Sequence, residues 1–292
     1  MRKLLQAMAV VITLGPLACG PGASPATPPP PPFKMTKVDI GGGRTLELGC
    51  LGSGTPTVIL EHGSDADASS FGLIMPRIAA VTRACAHNRI GAGGSSEPTG
   101  KRTAADMVDD LHALLDAADV ARPLILVGHS MGGMTIPLYA DRYPDEVAGM
   151  LFIDPAAPGM LAALGAALGE PMPGEPADVT ERRRIFAVGW PGPQYNTERH
   201  DVATSEKQTR AVKSLGDIPV IVLSAEELIW TVSDPAAQAK LVQAWQAMHA
   251  KVAKLSTEGR HEIVEGSGHG IQATNPDTVI NSIIELVERA RE

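Results

Sequence analysis

The 292-residue chain is long enough to bury one substantial hydrophobic core, and 44% hydrophobic with 20% charged residues is a composition typical of globular proteins. Its formal net charge of −8 disfavours a nucleic-acid partner, because a phosphate-binding surface needs a clustered excess of Lys and Arg that this sequence lacks. We interpret the negative charge as a contribution to solubility.

The first 19 residues are typical of an export signal. Two basic residues precede an apolar run that ends at about Leu17, which is too short to span a bilayer. Cys19 follows in the stretch PLACG, which resembles a bacterial lipobox, whose cysteine is lipidated and becomes the new N-terminus. Pro16 stands where that motif usually has leucine, so an ordinary cleaved signal is the alternative. We expect an exported bacterial protein, either tethered to a membrane through Cys19 or released.

Residues 20–32 are dominated by proline and small residues, which favour extended conformations and predict a linker before a folded domain at 33–292. Export would place Cys50 and Cys85 in an oxidising compartment, where they can pair. Two buried free thiols are the alternative, since the sequence does not place their Cα atoms within bonding distance.

Short apolar runs alternate with helix-like segments along the rest of the chain. In residues 103–120, for example, Met107, Leu111 and Leu114 fall on one helical face. This alternation predicts an α/β protein with a mostly parallel sheet and helices on both faces. The predicted buried strands are 56–63, 82–89, 123–130, 149–154, 218–224 and 260–266.

Residues 155 to about 215 break the alternation, with scattered Pro and Gly and no clear strand. A long excursion inside a compact α/β domain is usually a functional lid or binding loop. Apolar stretches within it favour a folded lid, at about 156–210, over a disordered surface insertion.

Ser130 stands in the stretch GHSMG, between Gly128 and Gly132, after an apolar run and before a helix-compatible segment. Strand, sharp turn and helix in this order are what a nucleophile elbow requires. Glycines two residues to either side avoid collisions in such a tight turn. The amides at the start of the following helix would favour negative charge that develops near Ser130.

Four motifs, EHGSD, NRIGAGGSSEP, GHSMGG and GSGHG, occur in the order typical of the α/β-hydrolase superfamily, which the chain resembles over residues 36 to 290. The resemblance implies an α/β-hydrolase fold with a lid after the sixth strand. It implies that Ser130 is the nucleophile and that the backbone amides of Ser64 and Met131 form the oxyanion hole. In the second motif, Asn88 occupies a place where the family usually has Asp, so we expect a charged contact to be missing there.

The resemblance is closest to compact small-ester hydrolases with a signal peptide. In that fold Cys50 and Cys85 would lie on adjacent strands, which favours the disulfide.

A serine hydroxyl needs a base, and His269 lies in a glycine-rich loop between the last predicted strand and the last helix. It also matches the catalytic histidine of the family. His129 lies inside the elbow but points away from Ser130. The remaining histidines fall in strand or helix patterns and are interpreted as structural: His87, His112, His200, His249 and His261. The tract HEIVEGSGH is not HExxH, and no metal or cofactor is expected.

The carboxylate that would orient the base is the least certain member of the set. Asp154 ends the predicted strand after the nucleophile's strand and helix. Most relatives carry the acid after the next strand, where this chain has Leu228 preceded by Glu226 and Glu227. Some members of the superfamily carry it after the earlier strand, as Asp154 is placed, so Asp154 is favoured and Glu227 is the alternative.

These roles predict a serine hydrolase that cleaves small-molecule carboxylic esters through a Ser130, His269 and Asp154 triad and an acyl-enzyme. A serine nucleophile disfavours the dehalogenase and epoxide hydrolase chemistries, which use Asp. One alternative is amide or peptide hydrolysis of the aminopeptidase type, with an acidic lid residue such as Glu170 or Glu175 as the anchor for an amine. A second is a non-catalytic binding protein on a hydrolase scaffold.

Overall fold

The computed structural model describes residues 33–190 and 192–292. The predicted signal segment at 1–19, with Cys19, and the linker at 20–32 lie outside these residues. None of the helices in the described part of the chain is both long and apolar enough to cross a membrane.

The described residues form one sheet of eight strands in the order β1-β2-β4-β3-β5-β6-β7-β8. β2 pairs antiparallel with β1 and β4, and all later neighbours pair in parallel. The predicted α/β class with a mostly parallel sheet is therefore confirmed. The strands are β1 (Thr36–Asp39), β2 (Thr45–Leu51), β3 (Thr57–Glu61), β4 (Ala84–Asn88), β5 (Leu124–His129), β6 (Val147–Ile153), β7 (Val220–Ala225) and β8 (Gly259–Val264).

The strands β1 and β2 were not among the six strands predicted from apolar runs. β1 lies at the edge of the sheet and its residues are mostly exposed, so it carries no apolar run. β2 alternates half-buried and buried residues in its first half, which is the pattern of a strand with one partly solvated face. Cys50 of β2 lies directly opposite Cys85 of β4, and the structure joins their sulfur atoms in a disulfide.

The α-helices of the described residues are α1 (Met75–Ala79), α2 (Ala104–Ala117), α3 (Gly132–Arg142), α4 (Met160–Leu168), α5 (Ala177–Val188), α6 (Val202–Ala211), α7 (Pro235–Ala253), α8 (Ile271–Thr274) and α9 (Pro276–Arg289). The segment 103–120, whose periodicity predicts a helix, contains α2. This helix begins with a capping box in which the side chains of Thr103 and Asp106 bond each other's backbone amides.

Two hydrophobic layers cover the two faces of the sheet. Alternate residues of β3 point to opposite faces, so Val58 and Leu60 belong to one core cluster and Ile59 to the other. The first cluster packs against α1 and α9, and the second packs against α2, α3 and α7. Both faces are thus closed, and the loops at the carboxyl edge of the parallel strands are free to carry a site.

The segment between β6 and β7 is folded. Its residues 156–190 and 192–211, which we call the helical insertion, contain α4, α5 and α6. α6 is tied to α3 because Thr209 Oγ1 donates to Met134 O at 2.9 Å. The amide of Arg102, before α2, donates to Arg199 O at 2.9 Å. These contacts hold the insertion against the sheet domain.

Candidate active site

Ser130 follows β5 directly and precedes α3, and its backbone has a φ of 51°. A non-glycine residue in the left-handed region is strained unless its surroundings hold it there. The amide of Ser130 donates to Ile153 O at 3.1 Å, and its carbonyl oxygen accepts from Gly133 N at 2.9 Å and Ala156 N at 2.8 Å. The strand-turn-helix arrangement that the sequence predicts is present, and three backbone hydrogen bonds fix it.

The glycines on either side of Ser130 are required by close packing. A Cβ atom at Gly132 would lie 2.5 Å from Glu61 O, and one at Gly128 would lie 2.9 Å from the backbone of Gly132. Real Cβ atoms do not approach backbone atoms this closely, so only glycine lets β3 and β5 pack under the turn.

The side chains of His269 and Asp154 meet at the carboxyl edge of the sheet. The two residues lie in the loops after β8 and β6, and His269 Nδ1 donates to Asp154 Oδ2 at 2.6 Å. Only 1% of the Asp154 side chain is exposed, against 21% of the His269 side chain. With its proton on Nδ1, the imidazole presents Nε2 as its basic nitrogen. This pair can therefore accept a proton from a nearby hydroxyl.

Asp154 is held from several sides. Its Oδ1 accepts from Trp245 Nε1 at 2.8 Å and from Ala225 N at 2.9 Å. Burial by itself would raise the pKa of Asp154, but the hydrogen bond from His269 and the influence of the nearby His249 outweigh it, and the pKa lies below its usual value. The carboxylate is thus kept ionised and oriented toward His269.

The other positions considered for the acid of the site lie in the loop after β7. Leu228, at the position where most relatives would carry the acid, is 4% exposed and belongs to the core. Glu227 is exposed, and its amide donates to Ser267 O at 3.0 Å. Glu226 uses its carboxylate to accept from Gly266 N at 2.7 Å. The structure therefore brings Asp154, and not Glu227, to His269.

The two amides predicted for an oxyanion hole flank the turn. Gly63 packs against the elbow so closely that a Cβ there would lie 3.1 Å from Ser130 Cβ, which places the next residue, Ser64, beside the turn. Met131 lies at the start of α3. Among the hydrogen bonds between described residues, neither the Ser64 amide nor the Met131 amide donates one. Within the described residues both N–H groups are therefore left without a protein acceptor, as an oxyanion-hole donor must be.

Within residues 33–190 and 192–292 there is no group of three or more His, Cys, Asp or Glu side chains that could hold a metal ion. This edge of the sheet carries the side chains of Ser130, His269 and Asp154, and the backbone amides of Ser64 and Met131. A hydroxyl, a base with an orienting carboxylate and two amide donors together suit nucleophilic attack on a carbonyl group.

A family model described as "Alpha/beta hydrolase family" matches residues 58–282, which include every residue placed at this edge. The chain belongs to the alpha/beta hydrolase family. Its hydrolase architecture is shared with an esterase from Thermogutta terrifontis, with a TM-score of 0.64 and 18% identity over 89% of this chain and 100% of that one. It is also shared with the carboxylesterase CesB (YbfK) from Bacillus subtilis, with a TM-score of 0.59 and 18% identity over 88% of this chain and 92% of that one.

A sequence relative of this alpha/beta hydrolase is the uncharacterized protein YqjL of Bacillus subtilis. It is 27% identical over 235 residues, which are 80% of this chain and 85% of the relative. The similarity therefore extends over most of both chains.

Asn88, where a charged side chain of the family is expected to be missing, uses its neutral amide for two hydrogen bonds. Asn88 Nδ2 donates to Glu47 Oε2 at 2.8 Å, and its Oδ1 accepts from Ala68 N at 2.7 Å. Glu47 also accepts from Gly94 N at 2.7 Å. In this hydrolase the carboxylate of Glu47 on β2 therefore binds both Asn88 and the loop after β4.

Sequence reasoning missed several residues that support the site. Trp245 is not among the site residues predicted from the sequence, although its indole N–H donates to Asp154 Oδ1. His129 Nε2 donates to His269 O at 3.0 Å, and because burial lowers the pKa of His129 to about 4, its ring is neutral at neutral pH. A buried cluster around Arg89 was also missed. A signal that could have revealed it is that Glu61 and Arg89 both lie near the ends of predicted strands, 56–63 and 82–89.

Proposed function

We propose that this hydrolase cleaves carboxylic esters of small molecules with Ser130 as the nucleophile, His269 as the base and Asp154 as the residue that orients the base. The observation that carries the proposal is the 2.6 Å hydrogen bond between His269 Nδ1 and Asp154 Oδ2, at the same sheet edge as the strained turn of Ser130. A buried carboxylate bonded to Nδ1 stabilises the imidazolium that forms when Nε2 takes a proton.

In the proposed reaction Ser130 Oγ attacks the ester carbonyl carbon while His269 Nε2 takes the hydroxyl proton. The carbonyl π electrons move onto oxygen, and the amides of Ser64 and Met131 bind the resulting oxyanion. Collapse of this intermediate breaks the C–O bond, and His269 gives its proton to the departing alcohol. Water, deprotonated by His269, then attacks the acyl-enzyme, and the acid leaves as Ser130 recovers its proton.

Two solved structures of similar fold are named as esterases, and their names support the choice of an ester substrate. Amide hydrolysis of the aminopeptidase type would need an acidic lid residue to anchor the substrate amine. Glu175, one of the two candidates, already pairs with Arg183 through hydrogen bonds of 2.5 and 2.8 Å. Its carboxylate is therefore engaged, and the ester remains the better-supported substrate.

The helical insertion is proposed as the lid of this site. It begins two residues after Asp154, and Phe186 of α5 packs edge-on against Trp230 with ring centroids 5.8 Å apart. Trp230 in turn contacts Trp245, which binds Asp154. An insertion that packs onto the support of the acid is well placed to shape the substrate pocket.

The proposal is tested with a series of p-nitrophenyl esters from acetate to decanoate, assayed with the protein and its Ser130→Ala variant. We expect turnover in the parent, a loss of at least about 1,000-fold in the variant, and a fluorophosphonate adduct on Ser130 of the parent only. A folded parent that binds these esters without turnover and forms no adduct would instead support the binding-protein alternative.

Export and lipidation through Cys19 are proposed from the sequence alone. Expression of the full chain in a bacterium with labelled palmitate tests them, with Cys19→Ser as the control. We expect label in the parent and none in the variant. An unlabelled, cleaved parent would indicate an ordinary secreted hydrolase.

A further inference from the structure

Arg89 directly follows β4 and is buried, and each of its five N–H groups donates a hydrogen bond. Its Nη1 donates to Glu61 Oε1 at 2.5 Å and to His62 O at 2.6 Å. Its Nη2 donates to Gly63 O at 2.8 Å. The remaining two N–H groups, on Nε and Nη2, bind the two carboxylate oxygens of Glu198 at 2.5 and 2.8 Å. A guanidinium with every donor engaged has one permitted position and orientation.

The two carbonyl groups that Arg89 binds belong to the loop that carries the proposed oxyanion hole. Gly63 O and the N–H of Ser64 are the two ends of one peptide group. Gly63 O accepts from His62 Nδ1 at 2.8 Å as well as from Arg89 Nη2. In a planar trans peptide the C=O and N–H bonds point in opposite directions, so these two hydrogen bonds on Gly63 O also fix the direction of the Ser64 N–H. A cation on the carbonyl oxygen further polarises the peptide, which strengthens the N–H as a donor.

Glu198 reaches this core position from the helical insertion. It is 2% exposed, and its carboxylate binds Arg89 in the bidentate manner that fixes a guanidinium most firmly. The loop after β4 is shaped to admit it, because a Cβ at Gly91 would lie 2.7 Å from Glu198 Cα and 2.6 Å from Thr197 O. Gly91 also has a φ of 88°, so both its conformation and its surroundings require glycine.

We propose that Glu198 is a positioning residue for the oxyanion hole, acting through Arg89 on the Ser64 amide. The helical insertion then has two separate roles. It shapes the substrate pocket, and through Glu198 it also sets the rate of the chemical step. This inference rests on the proposed ester hydrolysis at Ser130.

The test compares Glu198→Gln with Glu181→Gln in the full-length protein. Glu181 pairs with Arg184 on the exposed surface of α5, so the control makes the same substitution at an ion pair in the same insertion. Gln can accept only one of the two hydrogen bonds from Arg89, and its NH₂ group opposes the other donor. For each variant we would measure kcat and KM with one p-nitrophenyl ester, the Ki of a trifluoromethyl ketone with the same acyl group, and the melting temperature.

We expect kcat of Glu198→Gln to fall about 10- to 100-fold with KM within about 3-fold of the parent, because the oxyanion hole acts in the transition state. The Ki of the trifluoromethyl ketone, whose adduct carries an oxyanion, should rise by a similar factor. Glu181→Gln should match the parent. If Glu198→Gln is unfolded at the assay temperature, Glu198→Asp, which keeps the charge but is one methylene shorter, should show the same loss of kcat.

A folded Glu198 variant with an unchanged kcat, or with a raised KM alone, would overturn the inference, since it would show a structural or substrate-binding role. A failure of the proposed ester hydrolysis would give a different experimental result. In that case the parent does not hydrolyse esters, or Ser130→Ala hydrolyses them as fast as the parent, and the inference falls with it.

Discussion

Asp154 Oδ2 accepts a hydrogen bond of 2.6 Å from His269 Nδ1, although the two residues are 115 positions apart in the chain. They meet because β6 and β8 run parallel in one sheet, so the loops that follow both strands open at the same edge. Ser130 follows β5, the parallel neighbour of β6, and lies at that edge as well. Parallel strand order thus converts three distant segments into one site.

Replacing Asp154 with Asn should lower kcat for ester hydrolysis by at least about 100-fold. Asn can still accept the Trp245 hydrogen bond, but it cannot stabilise the imidazolium of His269. The matched control is Glu227→Gln, which removes the other candidate acid and should leave kcat unchanged. Steady-state kinetics on both variants checks this, and melting temperatures confirm that both are folded. A loss of activity in Glu227→Gln alone would show that the residue orienting His269 is Glu227, in the loop after β7.

How much of this site could be predicted from the sequence depends on whether a residue's partner is local. Ser130 and His269 lie in short glycine-bounded motifs next to strands, so each could be placed at the sheet edge from its own neighbourhood. Asp154 ends an apolar run, but its neighbourhood alone does not decide between it and Glu227. The pairing of Arg89 with Glu198 could not be predicted, because the two are 109 positions apart and Glu198 lies in a stretch without regular periodicity. The role of Trp245 depends equally on tertiary packing, since periodicity places a residue on a helix face but does not reveal the partner of its N–H.

The stability of the protein should fall as the pH is lowered from about 6.5 to about 4. Burial lowers the pKa values of His129, His200 and His249 to about 4, so these side chains stay neutral in the folded state. In the unfolded chain they take up protons near pH 6.5. The unfolded state therefore binds more protons across this window, and each histidine contributes a loss of up to about 1.4 kcal/mol per pH unit.

Thermal unfolding in buffers of constant ionic strength measures this effect. We expect a nearly constant melting temperature from pH 7 to 8 and a steady fall below pH 6.5. A melting temperature that stays constant down to pH 4.5 would show that these histidines are accessible to protons in the folded state.

The link between Cys50 and Cys85 should stabilise the fold by about 3 to 4 kcal/mol, because it closes a loop of 35 residues in the unfolded chain. Guanidinium unfolding of the oxidised protein and of a Cys50→Ala, Cys85→Ala double variant measures the difference. Because replacing both cysteines also changes the packing around them, the parent unfolded in the presence of a reductant serves as the control. Equal stabilities for the oxidised and reduced parent would show that the link contributes nothing to the unfolding free energy.

Gly63 offers a test of how closely the oxyanion loop must approach the elbow. Its Cβ in a Gly63→Ala variant would lie 3.1 Å from Ser130 Cβ and 3.2 Å from His129 Nδ1, so one of these groups must move by a few tenths of an ångström. Catalytic geometry tolerates such shifts poorly, whereas overpacking by one methyl group costs only about 1 to 3 kcal/mol of stability. We therefore expect kcat to fall about 10-fold or more while the protein still folds.

Gly270→Ala is the matched control, because it is next to His269 but its added methyl group would meet no atom within 4 Å. Kinetics and melting temperatures of the two variants check the prediction, and equal kcat values in both would mean that the loop can retreat from Ser130 without affecting the reaction.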